Sequence, residues 1–172
     1  MRMFYAAQWR DAAKKIEVRN PFDQSLVDAV PSATPDDVEA ALAGAVEGAR
    51  IMAALPGYKR YQILLKASLL MAERADDLGR TISMEEGKTL AEGKAEVMRA
   101  KETMELSAEE AKRIEGELLP LDGASGGAGK LGFTLRVPCG IVAAITPFNF
   151  PLNLVTHKVG PALAAGNSVI IK

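Results

Sequence analysis

One cysteine and one histidine stand in 172 residues. A single thiol excludes an intrachain disulfide, and together the two exclude a cysteine-based or histidine-rich metal centre, so no metal ligand set is expected. Lys and Arg number 21 against 22 Asp and Glu, a net charge of −1. There is no basic excess to condense on nucleic acid and no acidic tail. No run approaches the roughly 18 uninterrupted apolar residues of a membrane span. Residues 1–10 carry Arg2 but lack the apolar core of a secretory signal. What is present is 48% hydrophobic and 25% charged residues, which are ordinary globular values that argue against disorder. A cytoplasmic protein is expected, of a length that suits one domain by the usual prior of about 100–200 residues.

The N-terminal part reads as a hairpin followed by helices. Ile16 and Val18 alternate with charged residues, and Leu26, Asp28 and Val30 do so more loosely. Turn formers over Asn20–Gln24 lie between them, which predicts a β-hairpin. Thr34, Pro35 and Asp37 make a capping-box start. Val38, Ala41, Leu42, Ala45, Val46 and Ala49 continue it at helical spacing until Leu55-Pro56-Gly57. A second helix fits 58–79 and is interrupted by Gly79. A third segment, about 89–114, is heavily charged with both signs and shows only a weak apolar stripe. It reads as a surface helix lying across a larger body, with Glu109 and Arg113 as an i,i+4 pair.

After Pro120 the composition changes. Residues 122–129 form a glycine-rich loop expected to join two strands, one ending near Leu121 and one at Leu131–Val137. Residues 140–146 are a continuous run of small apolar residues, as expected of a strand buried on both faces of a parallel sheet. Residues 151–165 read as a helix broken or kinked at Gly160-Pro161, because proline cannot donate to the preceding turn. Gly166-Asn167 suits its C-terminal cap. Ser168–Lys172 is a second buried strand, so 140–172 make one β-α-β unit. Two parallel strands cannot cover themselves. The pattern therefore predicts the N-terminal portion of a longer protein, the alternative being a sheet completed by a partner chain.

Several chemical motifs fail on spacing. The loop around Gly123, Gly126, Gly127 and Gly129 places Ala124 where a P-loop needs its first glycine, and Leu131 follows Lys130 where a Ser or Thr is required. No Gly-x-Gly-x-x-Gly lies between the strand and the helix of the β-α-β unit. Cys139, at the entry to the strand, reads as a small buried hydrophobe. His157, in mid-helix, reads as a hydrogen-bonded structural residue. The strand-to-helix junction Ile145-Thr146-Pro147-Phe148-Asn149-Phe150-Pro151 is different. It lies at the carboxyl end of a parallel strand, where ligands of open α/β sheets sit. A carboxamide held there at Asn149 can donate to a developing oxyanion or simply tie down the turn. Lys172 ends the neighbouring strand, where it can hold a nucleotide or remain a solvated charge. Spacing alone decides neither.

The motifs do more. Residues 138–151, then 158–167, then 168–172 resemble the aldehyde dehydrogenase superfamily. Its pattern runs P-x-G-[VI]-[VI]-x-x-I-[TS]-P-[WF]-N-[FY]-P, then K-x-x-P-A-L-A-x-G-N, then a strand ending in Lys-Pro. Asn20-Pro21, Glu86-Gly87-Lys88, Glu92 to Arg99 and Gly116-Glu117 agree, so the resemblance covers about 16–172. It implies an α/β fold, namely an incomplete Rossmann-like cofactor-binding domain with N-terminal helices and the start of an oligomerisation β-arm. It implies the divisions 1–117 (hairpin and helices), 118–138 (arm) and 139–172 (first β-α-β). It also implies NAD- or NADP-dependent oxidation of a small-molecule aldehyde through a thiohemiacetal and a thioester, in a homodimer or homotetramer. Asn149 would hold the oxyanion. Ile145, Thr146, Pro147 and Phe148 would line the cofactor, Lys172 would bind its ribose, and Lys158 would have a support role. The family's catalytic cysteine and glutamate have no counterpart in these residues, and Cys139 does not match the nucleophile. These 172 residues alone are expected to be inactive, or, on the rival reading, to serve as an oligomerisation or interaction module.

Overall fold

A computed structural model describes all 172 residues. Two antiparallel hairpins open the chain: β1 (Met3–Tyr5) with β2 (Gln8–Arg10), and β3 (Lys15–Arg19) with β4 (Leu26–Pro31). The second is the predicted hairpin. The first lacks the usual sequence signal, because its turn is made by Ala6 (φ 48°) and Ala7 (φ 59°). Both residues adopt the left-handed conformation that a tight hairpin turn demands and that glycine or asparagine normally supplies.

Four helices follow in close succession: α1 (Pro35–Ala54), α2 (Gly57–Glu73), α3 (Ala75–Glu86) and α4 (Leu90–Glu110). The expected capping box of α1 is formed, with the Thr34 hydroxyl accepting from the Asp37 N–H and the Asp37 carboxylate accepting from the Thr34 N–H. Thr89 and Glu92 repeat the device on α4.

The stretch expected as one helix over 58–79 is two. The break falls at Arg74 rather than at Gly79. Gly79 is buried inside α3 because it is the point of closest approach to α4. A Cβ there would lie 3.0 Å from the backbone nitrogen of Lys94, and one on Gly93 would lie 2.5 Å from the carbonyl oxygen of Gly79. Contact between two helix backbones, rather than a helix stop, is what the glycine provides.

The largest correction concerns α4. Expected as a surface helix, it is the central one, with Gly93, Glu96, Val97, Ala100, Met104, Ser107 and Ala108 buried. Its stripe looked weak because it is built largely from small residues. Small residues let helices approach closely, whereas large ones would hold them apart. Leu64 of α2 packs with Met104, Ala108, Ala111 and Ala164 to form the core. The predicted Glu109–Arg113 pair is replaced by two i,i+3 pairs, Glu109–Lys112 and Glu110–Arg113.

Beyond the helices, β5 (Leu118–Leu119) pairs antiparallel with β6 (Gly132–Phe133) across the glycine-rich loop. Both are shorter than expected, and residues 121–123 form a single 3₁₀ turn. β7 (Ile141–Ala144), α5 (Asn153–Ala164) and β8 (Ser168–Ile171) form the predicted β-α-β unit, with β7 and β8 parallel and Ile141 opposite Ser168. The helix passes through Pro161 without a break. At the preceding residue, Gly160, a Cβ would lie 2.5 Å from the Ser107 hydroxyl, so α5 is pressed against α4 at the point where proline would otherwise disrupt it. Gly166 takes the left-handed conformation (φ 83°) of a helix C-terminal cap.

The strand 140–146 was expected to be buried on both faces, but only Ala144 is fully buried and Ala143 is exposed. In a two-stranded sheet no neighbour covers the outer edge of β7. Cys139 is exposed rather than buried. His157 is also exposed, at the rim of a hollow shared with Thr103 and Ser107 of α4, and makes no hydrogen bond.

Candidate active site

β7 and β8 end together, and their carboxyl ends carry most of the residues singled out from the sequence. The ladder is extended past the strands by two backbone bonds. Lys172 N–H donates to Ala144 O at 2.9 Å, and Thr146 N–H donates to Lys172 O at 3.0 Å. The Thr146 hydroxyl donates to the same carbonyl at 3.2 Å. Ile145, Thr146 and Lys172 therefore share one sheet edge. Ile145 is 67% and Phe148 87% exposed, and Pro147 and Asn149 are exposed beside them. Exposed apolar side chains and a lysine thus stand together at the carboxyl end of the sheet. Lys158 is not brought to this edge by any contact. It sits within α5, and its ammonium donates only to Leu154 O of its own helix, at 3.4 Å.

Asn149 lies in the turn between β7 and α5. Its carboxamide is exposed and makes no hydrogen bond with the rest of the chain. Its backbone, by contrast, is tied down. Lys88 Nζ donates to Asn149 O at 2.8 Å and to Glu96 Oε2 at 2.8 Å. Glu96 Oε1 accepts from the N–H groups of Leu152 (3.0 Å) and Asn153 (3.1 Å).

The reason is local. α5 begins at Leu152–Asn153 with no capping side chain of its own, and the first N–H groups of a helix need acceptors. Glu96, projecting from α4, supplies one, and its negative charge suits the positive end of the helix dipole. The Glu96 side chain is 1% exposed, so its charge requires a partner, and Lys88 provides it. Glu86 Oε2 lies 2.9 Å from the same ammonium in an ion pair without hydrogen-bond geometry.

Phe150, the residue after Asn149, lies beneath the Lys88 ammonium (3.9 Å to the ring centroid) and the Arg99 guanidinium (4.9 Å). Burial works against the Lys88 charge, but the hydrogen bond to Glu96 and the attraction of the Glu96 and Glu86 carboxylates prevail and hold the ammonium above its ordinary range. Glu85, beside them, is pushed up by burial and by its neighbours Glu86 and Glu96.

The roles of Lys88 and Glu96 in this turn were missed from the sequence, although two signals were available. Glu96 falls at helical spacing with Gly93, Val97 and Ala100, on the face that turns inward. The helix after Pro151 also lacks a cap in its own sequence, which implies an acceptor from elsewhere.

The model of the aldehyde dehydrogenase family matches residues 9–172. The chain belongs to the aldehyde dehydrogenase family. It is 44% identical over 170 residues to the 3-sulfolactaldehyde dehydrogenase of Priestia aryabhattai, covering 99% of this chain and 35% of that protein. The structure of the NADP-dependent glyceraldehyde-3-phosphate dehydrogenase of Bacillus halodurans C-125, complexed with NADP, superposes with a TM-score of 0.95 at 30% identity, over 99% of this chain and 36% of that one. PnpE in complex with nicotinamide adenine dinucleotide superposes with a TM-score of 0.92 at 32% identity, over 99% and 34%. The chain thus spans about a third of the length of the relatives it matches. Its fold is the α/β fold of aldehyde dehydrogenases, and the family acts on aldehydes as oxidoreductases.

Proposed function

We propose that these residues supply the oxyanion-binding amide and one edge of the nucleotide site of an NAD- or NADP-dependent aldehyde dehydrogenase. The nucleophilic cysteine and the glutamate that activates water come from sequence outside residues 1–172. The observation that carries this reading is an exposed, unpartnered carboxamide on a turn whose backbone is tied at both ends. When an aldehyde carbonyl is attacked, its oxygen gains charge. The Asn149 N–H₂, carried on a turn whose backbone is held beforehand, donates to it. Ile145, Thr146, Pro147 and Phe148 would line the cofactor, Lys172 would bind its ribose, and Lys158 would have a supporting role. The bound nicotinamide supplies the hydride acceptor.

The remaining assignments follow from the same reading. The substrate is a small aldehyde and the product its acid. Residues 118–138 begin an oligomerisation arm, because Leu118, Leu131, Phe133, Leu135 and Val137 leave apolar surface exposed that a homodimer or homotetramer would cover. The protein works in the cytoplasm, in keeping with a single free thiol. The decisive experiment is Asn149→Ala in the full-length enzyme. Loss of an oxyanion donor lowers kcat by about 10²–10³, while NAD(P) affinity stays at the wild-type value. A kcat within about threefold of wild type refutes the role of Asn149.

A further inference from the structure

We propose that Lys88 and Glu96 are the positioning residues of the Asn149 carboxamide, joining α4, the N-terminus of α5 and the carbonyl of Asn149 through one carboxylate and one ammonium. The inference rests on the assignment of Asn149 just given and deepens it.

Three observations converge. The first is the choice of atoms. Glu96 holds the two N–H groups three and four residues after Asn149, and Lys88 holds the carbonyl of Asn149 itself. With that carbonyl held, the peptide plane between Asn149 and Phe150 cannot rotate. The following residue is confined as well, because the Phe150 ring is covered by two cations. The direction of the Asn149 Cα–Cβ bond is then set, and only its side-chain torsions remain free.

The second is the choice of chemistry. A buried ion pair stabilises a fold no better than well-packed apolar side chains of similar size, and often less well. Its merit is direction. The ammonium donates in two directions, to the Glu96 carboxylate and to the Asn149 carbonyl, with the Glu86 carboxylate close by as a charge partner. A planar guanidinium, longer and with its donors fixed in one plane, cannot reproduce that pair of bonds from the same backbone position.

The third is distance along the chain. Lys88 and Asn149 are 61 residues apart, and Lys88 lies in the short link between α3 and α4 rather than in either helix. Its side chain is 19% exposed, so neutralising it leaves a site that water can reach.

The test is a double-mutant cycle in the full-length enzyme, comparing wild type, Asn149→Ala, Lys88→Met and the double variant, with Lys88→Arg as a further single variant. Misplacing a catalytic group by about an ångström can cost on the order of 10²-fold. Lys88→Met is accordingly expected to lower kcat by about 10- to 100-fold, with KM for NAD(P) within about twofold of wild type. In the Asn149→Ala background the same change should alter kcat by less than about twofold, because no amide is left to place. A purely structural lysine would instead give equal losses in both backgrounds.

Lys88→Arg keeps the charge beside Glu96 and hence the fold, and is expected to lose at least about tenfold in kcat. It decides the matter if Lys88→Met does not fold. A kcat within about threefold of wild type in either folded variant, or losses that add in the double variant, overturns the inference. Failure of the underlying reading is separate and is seen without touching Lys88: Asn149→Ala would itself retain wild-type kcat.

Discussion

The crossing of α3 and α4 holds the link that carries Lys88, and it makes a sharp prediction about glycine. On an exposed helix, Gly→Ala stabilises by about 1 kcal/mol through helix propensity. At Gly93 the new methyl would sit 2.5 Å from Gly79 O, 3.3 Å from its carbonyl carbon and 3.4 Å from its Cα. All three are backbone atoms of a neighbouring helix, so no side chain can swing away. To restore ordinary contact the helices must part by roughly an ångström, and overpacking of this kind costs about 1–3 kcal/mol. Net of the propensity gain, Gly93→Ala should destabilise by up to about 2 kcal/mol. Gly48 in α1 is the internal control, since a Cβ there meets only the Ser168 Cβ, at 3.5 Å. Gly48→Ala should therefore be neutral or stabilising by up to about 1 kcal/mol. Urea denaturation followed by circular dichroism, on both variants of the full-length protein, reads the two midpoints. If Gly93→Ala is as stable as Gly48→Ala, the close crossing does not exist as described.

Thr89→Ala removes the cap of α4 and should cost about 1 kcal/mol. The same denaturation experiment measures it, and Thr89→Ser should recover most of the loss. Asp37 is held below the ordinary carboxylate range, first by the Tyr5 hydroxyl and then by the Thr34 N–H and hydroxyl. Its folded pKa is depressed, so its contribution is complete above the unfolded value of about 3.9 and is lost as pH falls through the folded one. The stability difference between wild type and Asp37→Asn should then be constant from about pH 5 to 7 and shrink below about pH 4. A difference that grows as pH falls would contradict the assigned bonds.

The parts of this molecule that were legible in the sequence are those made by neighbours along the chain. The β3–β4 hairpin, the Thr34 capping box and the order β7–α5–β8 depend on residues a few positions apart. Thr146 and Lys172 met at one edge as expected because two parallel strands of matching length end together. What escaped depends on contacts between distant segments or on unusual local choices. The centrality of α4 was hidden because Gly93, Ala100 and Ala108 contribute closeness rather than hydrophobic bulk. The β1–β2 hairpin was hidden because its turn is built from two alanines. The exposure of Cys139 and His157 could not be inferred from their residue types, which are more often inside. The turn contacts of Lys88 and Glu96 were hidden because nothing within a few positions of either points to a turn some 60 residues away.

The role proposed for Asn149 is electrostatic: it requires a donor at that position, and shape alone would not suffice. Asn149→Asp tests this most directly, because it preserves size and replaces an N–H₂ donor with a carboxylate that repels a developing oxyanion. The measurement is the single-turnover rate of NAD(P)H formation in the full-length enzyme with cofactor bound to saturation. The account predicts a fall of about 10³-fold or more, at least as large as that of Asn149→Ala, with cofactor affinity retained. A rate in Asn149→Asp within about threefold of wild type, or well above that of Asn149→Ala, would contradict it.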